Sequence, residues 1–151
     1  MDEINRLVWH EVAPQGAQAL FGVHHYVTKG TNLPDEMIHL VFLRVSQING
    51  CAHCIDLHTR DLLKTMPLDK VVLLPVWAEV PHLFDPRYLA ALAWAEEVTR
   101  VSETRASDEA YAAAAAAFEP RDLVDLTIAI AVMNAFNRLG APFRLPVKAR
   151  P

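Results

Sequence analysis

The chain has 151 residues, 52% of them hydrophobic and only 5 of them glycine, which is enough to bury one core without disulfide support and too apolar for a disordered segment. Its 14 basic residues are scattered among 18 acidic ones, for a formal charge of −4, which argues against a nucleic-acid groove and against a polybasic membrane patch. The N-terminus lacks the features of a signal peptide and no uninterrupted apolar stretch reaches the length of a membrane span, so the expected location is the cytoplasm, where a C-x-x-C pair points to catalysis, redox chemistry or metal binding.

In chain order, a short apolar patch at Leu7-Val8-Trp9 precedes Pro14, which opens a helix through Ala17, Leu20, Val23 and Val27 that Gly30 ends. His24 and His25 fall late in it, where imidazoles suit the helix dipole and a solvated helix end is expected. Pro34, Asp35 and Glu36 suit the first turn of a buried helix over 34–48. Arg44 lies inside it and, once buried, needs a carboxylate or several carbonyls. After the Asn49-Gly50 break a second helix starts at Cys51 and runs to about Thr65, where Met66-Pro67 stops it.

The segment 71–78 reads as a helix bent or ended near Pro75, with Trp77 as a core or interface anchor, and Pro81 to Pro86 as a loop in which His82 has no partner at motif spacing. Asp85-Pro86 starts a helix whose alanines at 90, 91, 93 and 95 permit close packing, with Glu96 and Glu97 expected as surface charges. Ser107 caps a helix over 108–118, and Pro120 opens a last helix over about 123–139 that is apolar nearly all round, as in the centre of a domain or between subunits. Asn134, Asn137 and Arg138 are expected to satisfy neighbouring backbone groups, and the tail from Phe143 to Pro151 to reach another subunit. No segment alternates as a strand does, so the expected class is all-α: a single domain over 1–151, a bundle of six or seven helices.

Chemistry gathers between His39 and Leu63, which holds both cysteines and three of the 7 histidines. Cys51, Cys54, Ile55, His58 and Leu62 share one helical face. Side chains three apart on a helix lie about 5–6 Å apart, within reach of a disulfide, and both thiols sit in a first turn, where free N–H groups lower a thiol pKa. His58 is placed to exchange a proton with Cys54. The rival chemistry is zinc binding by Cys51, Cys54 and His58, with His39 or His53 as fourth ligand; a further rival is a helical assembly that keeps the thiols for packing or sensing.

The pattern Arg44-x-Ser46-Gln47-x-Asn49-Gly50-Cys51-x-x-Cys54-x-x-x-His58 resembles the core motif of the carboxymuconolactone decarboxylase-like superfamily, in its alkylhydroperoxidase D (AhpD-like) branch. The resemblance continues more weakly through the Trp77 region, 92–99 and Asn134-x-x-Asn137-Arg138-Leu139. It implies an all-helical fold that assembles as trimers or hexamers with the site near subunit contacts. It also implies a thiol peroxidase acting on hydrogen peroxide or organic hydroperoxides, with no cofactor and an external dithiol reductant, which in relatives can be a lipoyl-bearing protein. By the same resemblance Cys54 is the attacking thiol, Cys51 the resolving thiol, and His58 and His53 are relay groups. The family's relay glutamate falls at position 39, where this chain has His39, with Glu36 one turn earlier as a compensating carboxylate.

Overall fold

Prolines and short polar side chains start most of the helices. In the computed structural model, which describes residues 5–147 and Arg150, the chain forms α1 (Trp9–Val12), α2 (Pro14–Lys29), α3 (Asp35–Asn49), α4 (Ala52–Leu62), α5 (Leu68–Leu73), α6 (Pro86–Thr99), α7 (Val101–Thr104), α8 (Asp108–Ala117) and α9 (Pro120–Gly140), with 3-10 turns at Leu74–Glu79 and Pro81–Leu83. Pro14, Pro86 and Pro120 are each the first helical residue, where a missing N–H costs nothing. The Asp85 carboxylate accepts the Arg87 N–H at 2.8 Å and the Ser107 hydroxyl accepts the Ala110 N–H at 3.2 Å, capping α6 and α8.

The class is all-α: no strand occurs among the described residues. The seven expected helices are present, and the single-turn helices α1 and α7 raise the number above six or seven. Two starts move. Pro34 stands just before α3 rather than inside its first turn, and α5 begins at Leu68, tightening into 3-10 geometry where Pro75 removes a helical N–H.

The turn between α3 and α4 sets the position of the cysteines. Gly50 has φ 67°, in the left-handed region that glycine enters without a Cβ clash. Its N–H donates to the Gln47 carbonyl at 3.3 Å and the Cys51 N–H donates to that of Ser46 at 3.1 Å, the paired bonds of a Schellman motif. The chain reverses tightly enough that Cys51, one residue past the glycine, is already the N-cap of α4.

α3 is the central helix, with Met37, Ile38, Leu40, Val41, Phe42, Leu43 and Val45 all buried. One side packs with Ala91, Ala95, Phe118, Leu126, Ile130 and Met133 of the α6, α8 and α9 region. On the other, Leu40 and Leu43 meet Leu62, Met66, Val71, Leu74 and Leu92. Each large side chain taken fully out of water here contributes about 1.5–3 kcal/mol. Ala91 and Ala95 are fully buried, so the small face of α6 does serve close packing.

α9 packs against α2, α3, α4 and α6. By length and composition it is apolar enough to cross a membrane, yet half of that stretch is buried inside the protein, as for a core helix. The termini meet at its end: the Arg6 N–H donates to the Phe143 carbonyl at 2.9 Å and its guanidinium to that of Pro142 at 3.2 Å.

Candidate functional site

Cys51 and Cys54 are joined as a disulfide across the first turn of α4, with Cα atoms 5.3 Å apart. The Cys54 N–H donates to the Cys51 sulfur at 3.3 Å, so a sulfur takes the part a serine hydroxyl plays at an N-cap. Cys51 is 0% exposed and Cys54 5%. The cover comes from α9: a Cβ on Gly140 would stand 2.7 Å from the Cys51 sulfur and 3.3 Å from that of Cys54, and 3.9 Å from a Leu145 methyl.

Residues 141–147 fold back over the same chain. The His53 Nδ1–H donates to the Pro146 carbonyl at 2.9 Å, and the Arg150 guanidinium reaches Asp56 at 3.4 Å. Within the chain the tail thus lies against α4; the tail positions Lys148, Ala149 and Pro151 lie outside the described residues.

The motif's polar residues hold the end of α3 against α9. The Asn49 amide donates to Asn134 at 2.9 Å and to Asn137 at 3.0 Å, and the Asn137 amide donates to the Ser46 hydroxyl at 3.0 Å. The Asn134 amide continues the chain to Thr99 of α6 at 3.2 Å, while Arg138 donates to the Asn134 oxygen at 2.8 Å. Asn134 also donates to the Ile130 carbonyl at 2.9 Å and Arg138 to the Asn134 carbonyl at 3.2 Å, the backbone bonds expected of them, while Asn137 pairs with side chains. The residues flanking the cysteines thus anchor the segment that carries Cys51 and fix where its sulfur stands.

Arg44 finds the carboxylate its burial demands. Its guanidinium contacts one Glu96 oxygen at 2.7 and 2.8 Å, and the Trp77 indole N–H donates to that same oxygen at 2.8 Å. Glu96 is therefore not the surface charge expected of it but the centre of a cluster joining α3, α6 and the 3-10 turn. Its neighbour Glu97 also has a buried oxygen, one without a partner. Periodicity alone could not show this, because the pairing depends on how α6 lies across α3.

The histidines divide. His39 of α3 and His58 of α4 stack at 6.0 Å between ring centroids, and Asp61 of α4 stands beside both, its Oδ2 3.8 Å from His39 Nδ1 and 3.9 Å from His58 Nδ1. Burial, then the neighbouring His39, pushes the His58 pKa down to about 3 despite the opposing pull of Asp61, so its ring is neutral at physiological pH. Burial also lowers His39, with Asp61 partly offsetting it. Burial would raise Asp61, but the Lys64 hydrogen bond at 2.7 Å and the histidines bring it below the usual carboxylate range.

His53 stands apart from this group, held by the tail. His24 is not a solvated helix end: its ring stacks on Phe42 at 5.7 Å and meets Phe136 edge-on at 6.0 Å. Glu36 does not join His39. It lines a cavity of about 330 Å³ with Lys70, Arg87 and Tyr88, and helps burial push the Tyr88 pKa up to about 12. The carboxylate beside His39 is Asp61, which motif spacing did not single out, although His58-x-x-Asp61 puts it on the His58 face of α4.

Fold and site together define an all-helical protein with a dithiol–disulfide pair at a helix start, anchored by a ladder of asparagines. The chain belongs to the carboxymuconolactone decarboxylase family, which residues 14–97 match. It is 33% identical over 136 residues to the uncharacterized protein YdfG of Bacillus subtilis (strain 168), spanning 89% of this chain and 91% of that one. Its structure is similar to that of a protein of unknown function from Agrobacterium tumefaciens whose name connects it with antioxidant defence and AhpD, with TM-score 0.91, 31% identity, and coverage of 97% of this chain and 99% of that one. An uncharacterized peroxidase-related protein from Silicibacter sp. TM1040 shares the fold at TM-score 0.79 with 20% identity, over 90% of this chain and 72% of that one.

Proposed function

We propose that this protein is a thiol-dependent peroxidase of the alkylhydroperoxidase D type, reducing hydrogen peroxide or organic hydroperoxides. The observation that carries the reading is the Cys51–Cys54 pair at the first turn of α4, where free N–H groups favour a thiolate. Cys54, the less buried of the two, attacks the outer oxygen of the peroxide. The O–O bond breaks, an S–O bond forms, and the departing alkoxide or hydroxide takes up a proton. Cys51 then attacks the sulfur of the Cys54 sulfenic acid; an S–S bond forms and water leaves.

His58 is the relay group nearest in sequence on the Cys54 face, and His39 with Asp61 stands behind it. In this reading Asp61 supplies from α4 the carboxylate that a relay lacks when position 39 is histidine. His53 is a second relay group next to Cys54 in sequence.

An external dithiol, such as a lipoyl-bearing protein, returns two electrons and two protons to the disulfide. The protein acts in the cytoplasm as a homo-oligomer, a trimer or hexamer. Leu57, Leu63, Leu68, Val72 and Val76 are exposed along α4 and the segment after it, a face that assembly would cover. The name of the Agrobacterium relative agrees with an antioxidant role.

The cover that Gly140 places over the sulfurs, with the low exposure of both cysteines, also favours a second reading, a thiol sensor that oxidises without turning over. The test is mass spectrometry of reduced, metal-stripped protein after one equivalent of peroxide, in wild type, Cys51→Ser and Cys54→Ser, followed by turnover with a dithiol. The peroxidase reading expects rapid loss of two hydrogens mapped to Cys51–Cys54, sulfenic acid on Cys54 when Cys51 is absent, and multiple turnovers. Oxidation without turnover gives the sensor; inert thiols remove both.

A further inference from the structure

The cluster of His39, His58 and Asp61 lies outside the disulfide and holds two polar atoms with no hydrogen-bond partner. His39 Nδ1 and His58 Nδ1 are both buried and unsatisfied, which is uncommon for buried polar atoms in folded proteins. His58 is only 4% exposed, so water cannot readily serve its Nδ1. Asp61 Oδ2 faces both nitrogens at 3.8 and 3.9 Å, beyond hydrogen-bond length. The three donor atoms lie within 4.8 Å of one another.

We propose that His39, His58 and Asp61 form a binding site for a divalent d-block cation, with zinc(II) as its representative, separate from the two sulfurs. Two imidazole nitrogens and one carboxylate oxygen are a donor set suited to zinc or iron(II), with room for water or substrate in the remaining positions. Donors held about 2.1 Å from a tetrahedral ion stand about 3.4 Å apart. Closing the nitrogen-to-oxygen gaps of 3.8 and 3.9 Å to that spacing takes about 0.5 Å, and the widest pair, within 4.8 Å, takes up to about 1.4 Å, a movement open to His39 and Asp61, which are not fully buried. His39 and Asp61 keep 26% and 23% of their side-chain surface exposed, which leaves the ion a way in.

The electrostatics agree with this geometry. Burial keeps His58 neutral, the form that ligates. Lys64 binds the other Asp61 oxygen and is 72% exposed, so it neither occupies Oδ2 nor is trapped beside it. The sulfurs are bonded to each other and take no part. The cluster stands whether or not the protein reduces peroxides; where it does, an ion held there would occupy the groups proposed as its proton relay.

The test is titration of the disulfide form of the full chain, stripped of metal, with zinc(II) by calorimetry and with cobalt(II) by visible absorption. One equivalent should bind at micromolar or tighter affinity, with d–d bands and no sulfur-to-cobalt charge transfer. Binding should be kept in Cys51→Ser/Cys54→Ser and weakened at least about 100-fold in His39→Gln and in Asp61→Asn, since losing even a supporting partner costs about 10–100-fold. Both of these positions are partly exposed, and circular dichroism would verify that the variants fold. The site is overturned by absence of binding in the disulfide form, by binding only after reduction with a thiolate charge-transfer band, or by binding that both single variants retain.

Discussion

The α-carbon of Gly140 rests directly on the disulfide, so that a Cβ there would stand 2.7 Å from the Cys51 sulfur. Gly140 lies at the end of α9 with no left-handed backbone to explain it. Its role is close approach, and a disulfide cannot swing aside as a flexible side chain can. Gly140→Ala should therefore destabilise the oxidised protein by about 1–3 kcal/mol, as overpacking does in a well-packed interior. Urea denaturation of the non-reduced protein measures it, and unchanged stability would mean that the end of α9 does not press on the sulfurs.

Asn137 is 1% exposed and bonds Ser46 and Asn49 at once. Asn137→Ala removes a partner from buried Ser46 and from half-buried Asn49 and should cost about 1–3 kcal/mol. It should also slow reformation of the disulfide in the reduced protein, because Cys51 hangs from the segment that Ser46 and Asn49 anchor. Equilibrium unfolding and the oxidation rate of the reduced variant are the two readouts; a loss of stability with no change in rate would separate the anchor from the cysteines.

Glu96 faces an Arg44 guanidinium whose side chain is 12% exposed. Glu96→Ala leaves that charge without its carboxylate and should destabilise by about 2–4 kcal/mol, somewhat less than for a fully buried pair because water still reaches Glu96. Replacing both, Arg44→Met with Glu96→Ala, should recover part of the loss. Thermal denaturation of the four proteins in the cycle checks this, and strict additivity would show that the pair is not coupled.

His58 carries a pH dependence whose sign follows from its burial. Its pKa falls from 6.5 in the unfolded chain to about 3 in the folded one, so between those values the unfolded state binds the extra proton. Stability from this group is full above pH 6.5 and is lost as pH falls toward 3, by an amount on the order of 3–5 kcal/mol. His39 and His24 are lowered as well and act in the same direction. In metal-stripped protein, His58→Gln should flatten the acid limb of the stability profile between pH 4 and 6.5, read by urea denaturation at stepped pH.

Much of the helical framework was legible along the chain because its signals are local. Pro14, Pro86 and Pro120 start helices at the first turn, Asp85 caps the second of these and Ser107 caps α8, and Asn49-Gly50 reverses the chain so that Cys51 caps the next helix. The pairing of Cys51 with Cys54 is local too, since three residues of helix bring two sulfurs within bonding reach. Each of these depends on backbone geometry over four or five residues.

What surrounds the cysteines was decided only by the tertiary structure. Glu96 meets Arg44 across 52 positions, Asn137 meets Ser46 across 91, and Gly140 covers Cys51 from the far end of the last long helix. Glu36 and His39 sit one turn apart on α3, yet one faces Tyr88 and the other Asp61. Helical spacing says which residues share a face, but the partner opposite that face is set by how α4, α6 and α9 pack around α3. The carboxylate beside His39 therefore came from α4, as Asp61, rather than from the helix on which the sequence suggested seeking it.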